Sequence, residues 1–379
     1  MSTATEPAGL SETQRQIVEL ARDFARKRVE PHAAEWDRAA QLPREILAEL
    51  GTLGFLGMMT PEADDGLGLD TITYLLALEE LAAADASLAL SVGVQHTMQS
   101  SLLAHGTPAQ RERWLRPLAR GELIGGIALA ETDAGSDAAA IRAQGARQGD
   151  DWVLRGTKAW VTNGATADIV IVLARTTAQG LSTFIVPTGT PGYRPGARAD
   201  TMGMRASNTV SVTLDDLRLS ADLLLGEEGS GLAYAMAALD AGRLGTAIVA
   251  VGIARRALEH AVAYCADRKQ FGRALREFEA VQFKLADMAT RVAAARALAH
   301  AAAARRDRGD DITAQAAMAK LFASETAMWV TTQAVQLFGG YGYMRDFPVE
   351  KLFRDAKGTE IIDGTSEMLR LVIAQGLGA

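Results

Sequence analysis

The first third of the chain places apolar residues at the spacing of an α-helix. Ser11 followed by Gln14 resembles a capping box, in which two side chains satisfy the free amides at a helix start. Behind it, apolar residues recur with a period of about 3.6: Ile17, Val18, Leu20, Ala21 and Phe24. Three further helical runs, separated by Gly, Pro and Asp, lie at 44–53, 71–84 and 108–115. The pattern predicts helices throughout residues 11–118.

From about residue 125 the pattern changes to short runs rich in β-branched residues. Four such runs lie at 152–154, 169–173, 183–187 and 209–214. Gly, Asn, Asp and Pro separate them, as in a sheet whose strands are joined by tight turns. We therefore expect a compact β domain between about residues 125 and 225.

Long alanine-rich helices return after Gly231 and are predicted at 232–267, 277–308 and 313–338. Each is longer than an average helix, which suits a helix bundle. The sequence therefore predicts an α+β chain of three domains. These are an N-terminal helical domain at 1–120, a middle β domain at 121–228 and a C-terminal helical domain at 229–379.

Composition narrows the functional classes. The net charge of −7 gives no general attraction for nucleic acid or anionic lipid. The sequence contains no uninterrupted apolar stretch of about 18 residues, so no membrane span is predicted. Its first residues lack the basic region and apolar core of a signal peptide, so none is predicted. The single cysteine, Cys265, excludes an internal disulfide framework, and the five histidines show no metal-ligand spacing. We expect a cytoplasmic protein that binds no metal and no nucleic acid.

Common nucleotide and nucleophile motifs are missing from the sequence. The segments at 229–234 and 340–345 both break G-x-G-x-x-G at its last position, and the second follows a predicted helix rather than a strand. Neither a P-loop nor a G-x-S-x-G nucleophile elbow occurs. A redox cofactor would therefore have to be held by a different kind of fold.

Five segments, in order along nearly the whole chain, resemble the acyl-CoA dehydrogenase family. They are Leu129-Ala-Glu-Thr-Asp-Ala-Gly-Ser-Asp137, Lys158-Ala-Trp-Val-Thr-Asn-Gly164, the region 202–231, the region 243–272 ending in Arg268-Lys-Gln-Phe-Gly272, and a C-terminal pair at 336–342 and 354–367. The resemblance implies that family's fold, with a β-barrel-like middle domain and a C-terminal four-helix bundle. It also implies an FAD-dependent flavoprotein of fatty acid metabolism, an oxidoreductase that introduces an α,β double bond into an acyl-CoA thioester.

The same resemblance implies which residues contact FAD. At the flavin and its ribityl chain it places Leu129, Ala130, Ser136, Trp160 and Thr162. At the remainder of FAD it places Arg268, Phe271, Gln336, Gly340, Thr365 and Glu367. Arg268 would neutralise the pyrophosphate of a neighbouring subunit, because a guanidinium donates paired, charge-assisted hydrogen bonds. A shared site implies a homo-oligomer, which in the family is usually a tetramer. Ala130 and Thr132 depart from the family's usual Thr and Pro.

The resemblance places the catalytic base at Asp363. An α C–H bond beside a thioester is a weak acid, so a fixed carboxylate must take the proton while the β hydride leaves to the flavin. Substrate contacts are implied for Ser136, Asp240, Arg243, Ile362 and Gly364. The family usually carries Glu where this chain has Asp363, and its minority base location is Gly242 here. A carboxylate misplaced by ~1 Å can cost ~100-fold in rate. The shorter base leaves three alternatives open: the substrate lies closer to Asp363, the reaction differs, or the activity is weak. Because some relatives that carry Asp act on cyclic acyl-CoAs, the resemblance also allows a branched or cyclic acyl group.

Three functions remain open from the sequence. The leading one is a dehydrogenase that passes electrons to an electron-transferring flavoprotein. The second is a flavin oxidase, or a dehydrogenase of a carrier-protein-bound thioester; Gln375, near the place of a CoA-binding arginine in many relatives, weakens the case for CoA. The third is a non-catalytic acyl-CoA-binding flavoprotein. Trp160 and Thr162 argue against it, because a contact to flavin N5 matters mainly when a hydride moves.

Overall fold

The computed structural model describes residues 9–177 and 180–378. The start of the predicted N-terminal domain, residues 1–8, and the last residue of the predicted C-terminal domain lie outside the described residues. The described chain passes from helices through a sheet to helices, which confirms the order that the apolar pattern predicts.

The helices before the sheet are α1 (Glu12–Phe24), α2 (Ala33–Ala39), α3 (Arg44–Thr52), α4 (Thr71–Ala84), α5 (Ala86–His105), α6 (Pro108–Gln110) and α7 (Arg116–Ala119). The predicted capping box at the start of α1 is confirmed, since Ser11 and Gln14 each accept a hydrogen bond from the other's backbone amide. Asp70 and Asp85 begin α4 and α5 by accepting the amides three residues ahead. These caps fix where α4 and α5 begin.

The middle of the chain forms one sheet with the order β6-β7-β3-β2-β4-β5-β8, and β1 pairs in parallel with β4. Its strands are β1 (Gly125–Ala128), β2 (Gln144–Gln148), β3 (Asp151–Val161), β4 (Ile169–Arg175), β5 (Leu181–Pro187), β6 (Tyr193–Arg198), β7 (Val210–Leu219) and β8 (Leu224–Leu225). Each predicted run overlaps one of these strands. The pairing of β3 with β7 is irregular between Lys158 and Val161, where Trp160 has a φ of 55°. A bulge of this kind turns a side chain out of the regular pleat.

The C-terminal part is a helix bundle with a short hairpin between its first two helices. It comprises α8 (Gly231–Asp267), β9 (Lys269–Gln270), β10 (Arg273–Ala274), α9 (Glu279–Asp307), α10 (Thr313–Phe338), α11 (Pro348–Thr359) and α12 (Ser366–Gly376). Helix α8 is long and apolar enough to cross a membrane, but 67% of that stretch is buried inside the fold. It packs against α4, α5, α9, α10 and α11, as a core helix does. Gly252 permits this packing, because an added Cβ would lie 2.6 Å from Cβ of Ala82 on α4.

A buried ion-pair network ties the N-terminal helices to the bundle. Glu79 of α4 accepts two hydrogen bonds, of 2.7 and 2.8 Å, from Arg296 of α9, and lies 2.8 Å from Arg255 of α8. Burial alone would raise the pKa of Glu79, but the arginine hydrogen bond and charges outweigh it, so its pKa is lowered. Removing one member of such a network leaves an uncompensated buried charge, which is strongly destabilising. The network therefore holds α4, α8 and α9 in one arrangement.

A second buried cluster fixes α11, the helix that leads into the predicted base. Lys351 lies 2.9 Å from Asp85 and 2.8 Å from Asp355. Asp355 also accepts a 2.6 Å hydrogen bond from the amide of Met204 in the β domain. All three regions of the chain thus meet at α11, and the turn after it is positioned by all of them.

Candidate active site

The turn between α11 and α12 carries the predicted base. Asp363 has a φ of 53° and Gly364 a φ of 102°, so two consecutive residues have left-handed backbone. Aspartate enters this region more readily than most residues, because its short polar side chain can bond locally. Thr365 then caps α12 by accepting a 3.3 Å hydrogen bond from the amide of Met368. The backbone of the turn, and not side-chain length alone, decides where the carboxylate lies.

The Asp363 carboxylate lies against helix α8. Its Oδ2 accepts a 2.5 Å hydrogen bond from Oγ1 of Thr246. One turn earlier on α8, a Cβ added to Gly242 would lie 3.4 Å from the same oxygen. Among the described residues, nothing donates a hydrogen bond to Oδ1. The two predicted base locations, 363 and 242, therefore face one shared space, and one carboxylate oxygen is left without a partner among the described residues.

The predicted substrate residues Asp240 and Arg243 also lie at this turn. Arg243 donates from Nε to the carbonyl of Asp363 at 3.3 Å and from Nη1 to Asp240 at 2.6 Å. Asp240 in turn accepts a 2.7 Å hydrogen bond from Oγ1 of Thr313. The structure thus brings Asp240, Arg243 and Asp363 together. The Arg243 guanidinium is bound by Asp240, so here it orders the turn and is not a free cation.

A buried lysine holds the other carbonyl of the turn, a residue that the sequence analysis missed. Lys320 of α10 is fully buried and donates a 2.7 Å hydrogen bond to the carbonyl of Gly364. Burial lowers the pKa of Lys320 to about 8, partly opposed by the charge of Asp363. Thr246 was missed as well. The sequence contains a signal for each residue. Lys320 interrupts an alanine-rich helix face, and Thr246 follows Gly242 by one helical turn.

The loop predicted to contact the flavin is held by a buried ion pair. Nζ of Lys158 donates to the carbonyl of Leu129 at 3.0 Å and to Glu131 at 2.8 Å. Burial alone would raise the pKa of Glu131, but hydrogen bonds from Lys158 and two backbone amides outweigh it, so its pKa is lowered. The amide of Ala159 donates to the carbonyl of Ala130 at 2.9 Å. Leu129 and Ala130 are therefore fixed beside β3, and Lys158 and Glu131 support them.

The bulge in β3 presents Trp160 to the outside, 60% exposed. Asn163 makes this stretch rigid, because its buried amide donates to the carbonyl of Gly125 at 3.1 Å. Thr162 is half-buried, and Ser136 is exposed and makes no hydrogen bond to the described residues. The exposed Trp160 ring offers an apolar plane, and Thr162 and Ser136 offer hydroxyl groups, which are the kinds of group that a flavin ring requires. These residues fit the flavin half of FAD.

The residues predicted for the adenosine half cluster at the hairpin after α8. Phe271 at its tip is 94% exposed with a φ of 52°. The Arg268 guanidinium lies 5.5 Å from the ring of Tyr341, just after α10, and forms no salt bridge with the described residues. An added Cβ on Gly340 would meet nothing within 4 Å, so the chain there is open to a ligand. Gln336 lies in the last turn of α10. The exposed aromatic and the unpaired guanidinium suit an adenosine diphosphate. Thr365 and Glu367 lie apart from this cluster, in the base turn and at the start of α12.

Comparisons with known proteins point to one family. Residues 11–122, 126–217 and 229–378 match the acyl-CoA dehydrogenase N-terminal, middle and C-terminal domains. The short-chain specific acyl-CoA dehydrogenase of Bos taurus mitochondria is 42% identical, covering 99% of this chain and 92% of that protein. The butyryl-CoA dehydrogenase structure from Megasphaera elsdenii is 39% identical, with a TM-score of 0.96 over 99% of this chain and 100% of that one. A glutaryl-CoA dehydrogenase from Mycobacterium smegmatis in complex with FADH2 is 33% identical, with a TM-score of 0.93 over 97% and 95% of the two chains. The predicted fold and the FAD cofactor are thereby confirmed. The chain belongs to the acyl-CoA dehydrogenase family and is an FAD-dependent oxidoreductase that dehydrogenates acyl-CoA.

Proposed function

We propose that the enzyme converts a short-chain acyl-CoA to its trans-2-enoyl-CoA, with Asp363 as the α-proton base. The supporting observation is the carboxylate itself: Thr246 binds Oδ2, while Oδ1 has no partner among the described residues. A general base must be fixed in place and keep an oxygen open to the proton it takes. As the α C–H bond breaks, the proton goes to Oδ1 and the electron pair forms the new bond to the β carbon. FAD, when bound, supplies the acceptor for the hydride that leaves the β carbon.

The base turn also offers a donor for the thioester oxygen. The backbone amide of Asp363 makes no hydrogen bond to the described residues, although its neighbours Ile362 and Ser366 donate theirs to carbonyls. An amide fixed by a rigid turn stabilises negative charge that develops on an oxygen, because it needs no reorganisation during the reaction. Arg243 and Lys320 hold the two carbonyls of this turn and so keep the amide in place.

The α8 surface beyond the base favours a short acyl group. Gly245 lies three residues after Gly242, about 5 Å along the helix. An added Cβ there would lie 3.2 Å from the Tyr74 hydroxyl. Tyr74 is buried, and the His96 ring packs 4.6 Å from its own. The Tyr74 hydroxyl therefore bounds this face of α8 about one helical turn beyond Gly242, which supports a short acyl group over a long one. A branched or cyclic acyl group of similar length stays in the substrate panel.

We further propose a homotetramer with shared FAD sites that works in the cytoplasm and passes electrons to an electron-transferring flavoprotein. The support for an oligomer is a set of three exposed aromatic residues: Phe271 on the hairpin that follows Arg268, Phe283 on α9 and Tyr343 after α10. Exposed apolar surface of this kind marks a contact with another molecule. Sedimentation of the flavin-loaded protein tests the oligomer, and a monomer would contradict it.

The test of the proposed reaction is anaerobic mixing of the flavin-loaded protein with a panel of acyl-CoA thioesters, followed at the flavin absorbance. We expect bleaching by short-chain thioesters and its loss in Asp363→Asn, which keeps the shape but not the base. Bleaching that persists in Asp363→Asn would show that another group takes the proton. Air admitted after bleaching separates the alternatives: slow recovery supports a dehydrogenase, and rapid recovery supports a flavin oxidase.

A further inference from the structure

Thr246 uses its hydroxyl differently from five other helical threonines of this chain. Thr52, Thr97, Thr290, Thr331 and Thr332 each donate to the carbonyl four residues earlier on their own helix. That local bond is the usual partner of a threonine inside a helix. Thr246 lies in the interior of α8, yet it donates to Asp363, 117 residues away in sequence. Its hydroxyl is therefore engaged by the candidate base.

The position of Thr246 makes it a rigid anchor. It is buried in the middle of α8, the central helix of the fold. A β-branched side chain in a helix has few χ1 rotamers, so its hydroxyl direction is limited before the bond forms. The hydrogen bond to Oδ2 is assisted by the carboxylate charge, and such bonds are about twice as strong as neutral ones. Gly242, one turn earlier, leaves the space beside this carboxylate free, since even an added Cβ would lie 3.4 Å from Oδ2.

We propose that Thr246 is the positioning residue for the Asp363 base. It binds Oδ2, stops rotation of the carboxylate and presents Oδ1 to the α proton, which offsets the missing methylene of a shorter acid. The inference rests on the proposed function, because it has no catalytic meaning unless Asp363 takes that proton. It extends that function by naming the group that makes an aspartate sufficient as the base.

The test compares Thr246→Val, which keeps the shape but lacks the hydroxyl, with Thr246→Ser, which keeps the hydroxyl. Both are loaded with FAD and mixed anaerobically with the best thioester of the panel. We expect Thr246→Val to bleach ~100-fold more slowly at saturating thioester, the loss that follows from a misplaced reacting group. Its half-saturating thioester concentration should change little, because Thr246 is not proposed to bind substrate. Thr246→Ser should lose far less rate than Thr246→Val, because it keeps the hydroxyl donor.

Crystal structures of the two variants give a readout that does not depend on turnover. We expect the Asp363 carboxylate to rotate or split between conformers in Thr246→Val and to keep its single orientation in Thr246→Ser. If Thr246→Val does not fold, Thr246→Cys replaces it, since a thiol is a weak donor of similar size. Equal losses in the Ser and Val variants would overturn the inference, because the hydroxyl would then not be the cause.

Asp363→Asn, measured beside these variants, separates the two proposals. If it bleaches at the unsubstituted rate, Asp363 is not the base and the proposed function fails. If it is inactive while Thr246→Val keeps full rate with an ordered carboxylate, the proposed function stands and the role of Thr246 is wrong. If Asp363→Asn and Thr246→Val both lose the bleaching rate while Thr246→Ser keeps it, the proposed function and the role of Thr246 are both supported.

Discussion

The base should be movable from the turn to helix α8. The perturbation is Gly242→Glu in an Asp363→Ala background. An added Cβ at Gly242 would lie 3.5 Å from the Asp363 carboxyl carbon and 3.4 Å from Oδ2. A glutamate at position 242 therefore extends into the space that the Asp363 carboxylate vacates. Thr246 lies four residues further along the same helix face, within reach of the new carboxylate.

The expected magnitudes follow from this geometry. Removal of a general base costs ~100- to 10,000-fold in rate, so Asp363→Ala alone should be nearly inactive. The relocated carboxylate occupies the same space but is attached to a different backbone, so we expect an error of about 1 Å in its position. An error of that size costs ~100-fold. The double variant should therefore bleach the flavin within ~100-fold of the unsubstituted enzyme and faster than Asp363→Ala.

The assay is the anaerobic bleaching rate at saturating short-chain acyl-CoA. Gly242→Gln in the same Asp363→Ala background is the matched control, because it has the same shape and no base. Gly242→Ala alone should stay active, since a methyl group at 3.4 Å is in ordinary contact with Oδ2. If the Glu and Gln double variants are equally inactive while both bind FAD and thioester, position 242 does not face the substrate, and the shared-space reasoning is refuted.

Two further predictions concern buried lysines. Burial lowers the pKa of Lys320 from 10.5 to about 8, so between these pH values only the unfolded chain holds the proton, and stability rises with pH. Relative to Lys320→Met, the free energy of unfolding of the unsubstituted holoenzyme should rise by about 2 kcal/mol between about pH 7.5 and 9.5. Curves of Tm against pH that run parallel for the two proteins would contradict this. Lys158→Met leaves Glu131 buried without its cation, at a cost of ~3–5 kcal/mol, and should weaken FAD retention on dialysis. Glu131→Gln in that background should restore part of the retention, and undiminished retention in Lys158→Met alone would contradict a role for the pair.

Several features of the fold follow from local sequence pattern. The predicted helix at 313–338 matches α10 at both ends, because no Gly or Pro interrupts this stretch and Gly339, with a φ of 60°, follows it. The capping box of α1 was also predicted, since it depends only on residues three positions apart. Helix α5 is absent from the predicted runs, because its buried face mixes apolar residues with polar ones: Ser91, Gln95, His96 and Gln99. The domain limits and the roles of individual FAD residues stay predictions.

The sequence by itself determined the order of helices and strands, the family resemblance and the choice of Asp363 as the candidate base. Those depend on periodicity and on short motifs, which are local properties of the chain. Only the tertiary structure decided what holds that base. The hydroxyl of Thr246 meets Asp363 across 117 residues, and Lys320 meets Gly364 across 44. Such contacts depend on a left-handed turn at Asp363 and on the packing of α8 and α10 around it. A local sequence pattern cannot predict either contact, because the partners are far apart along the chain.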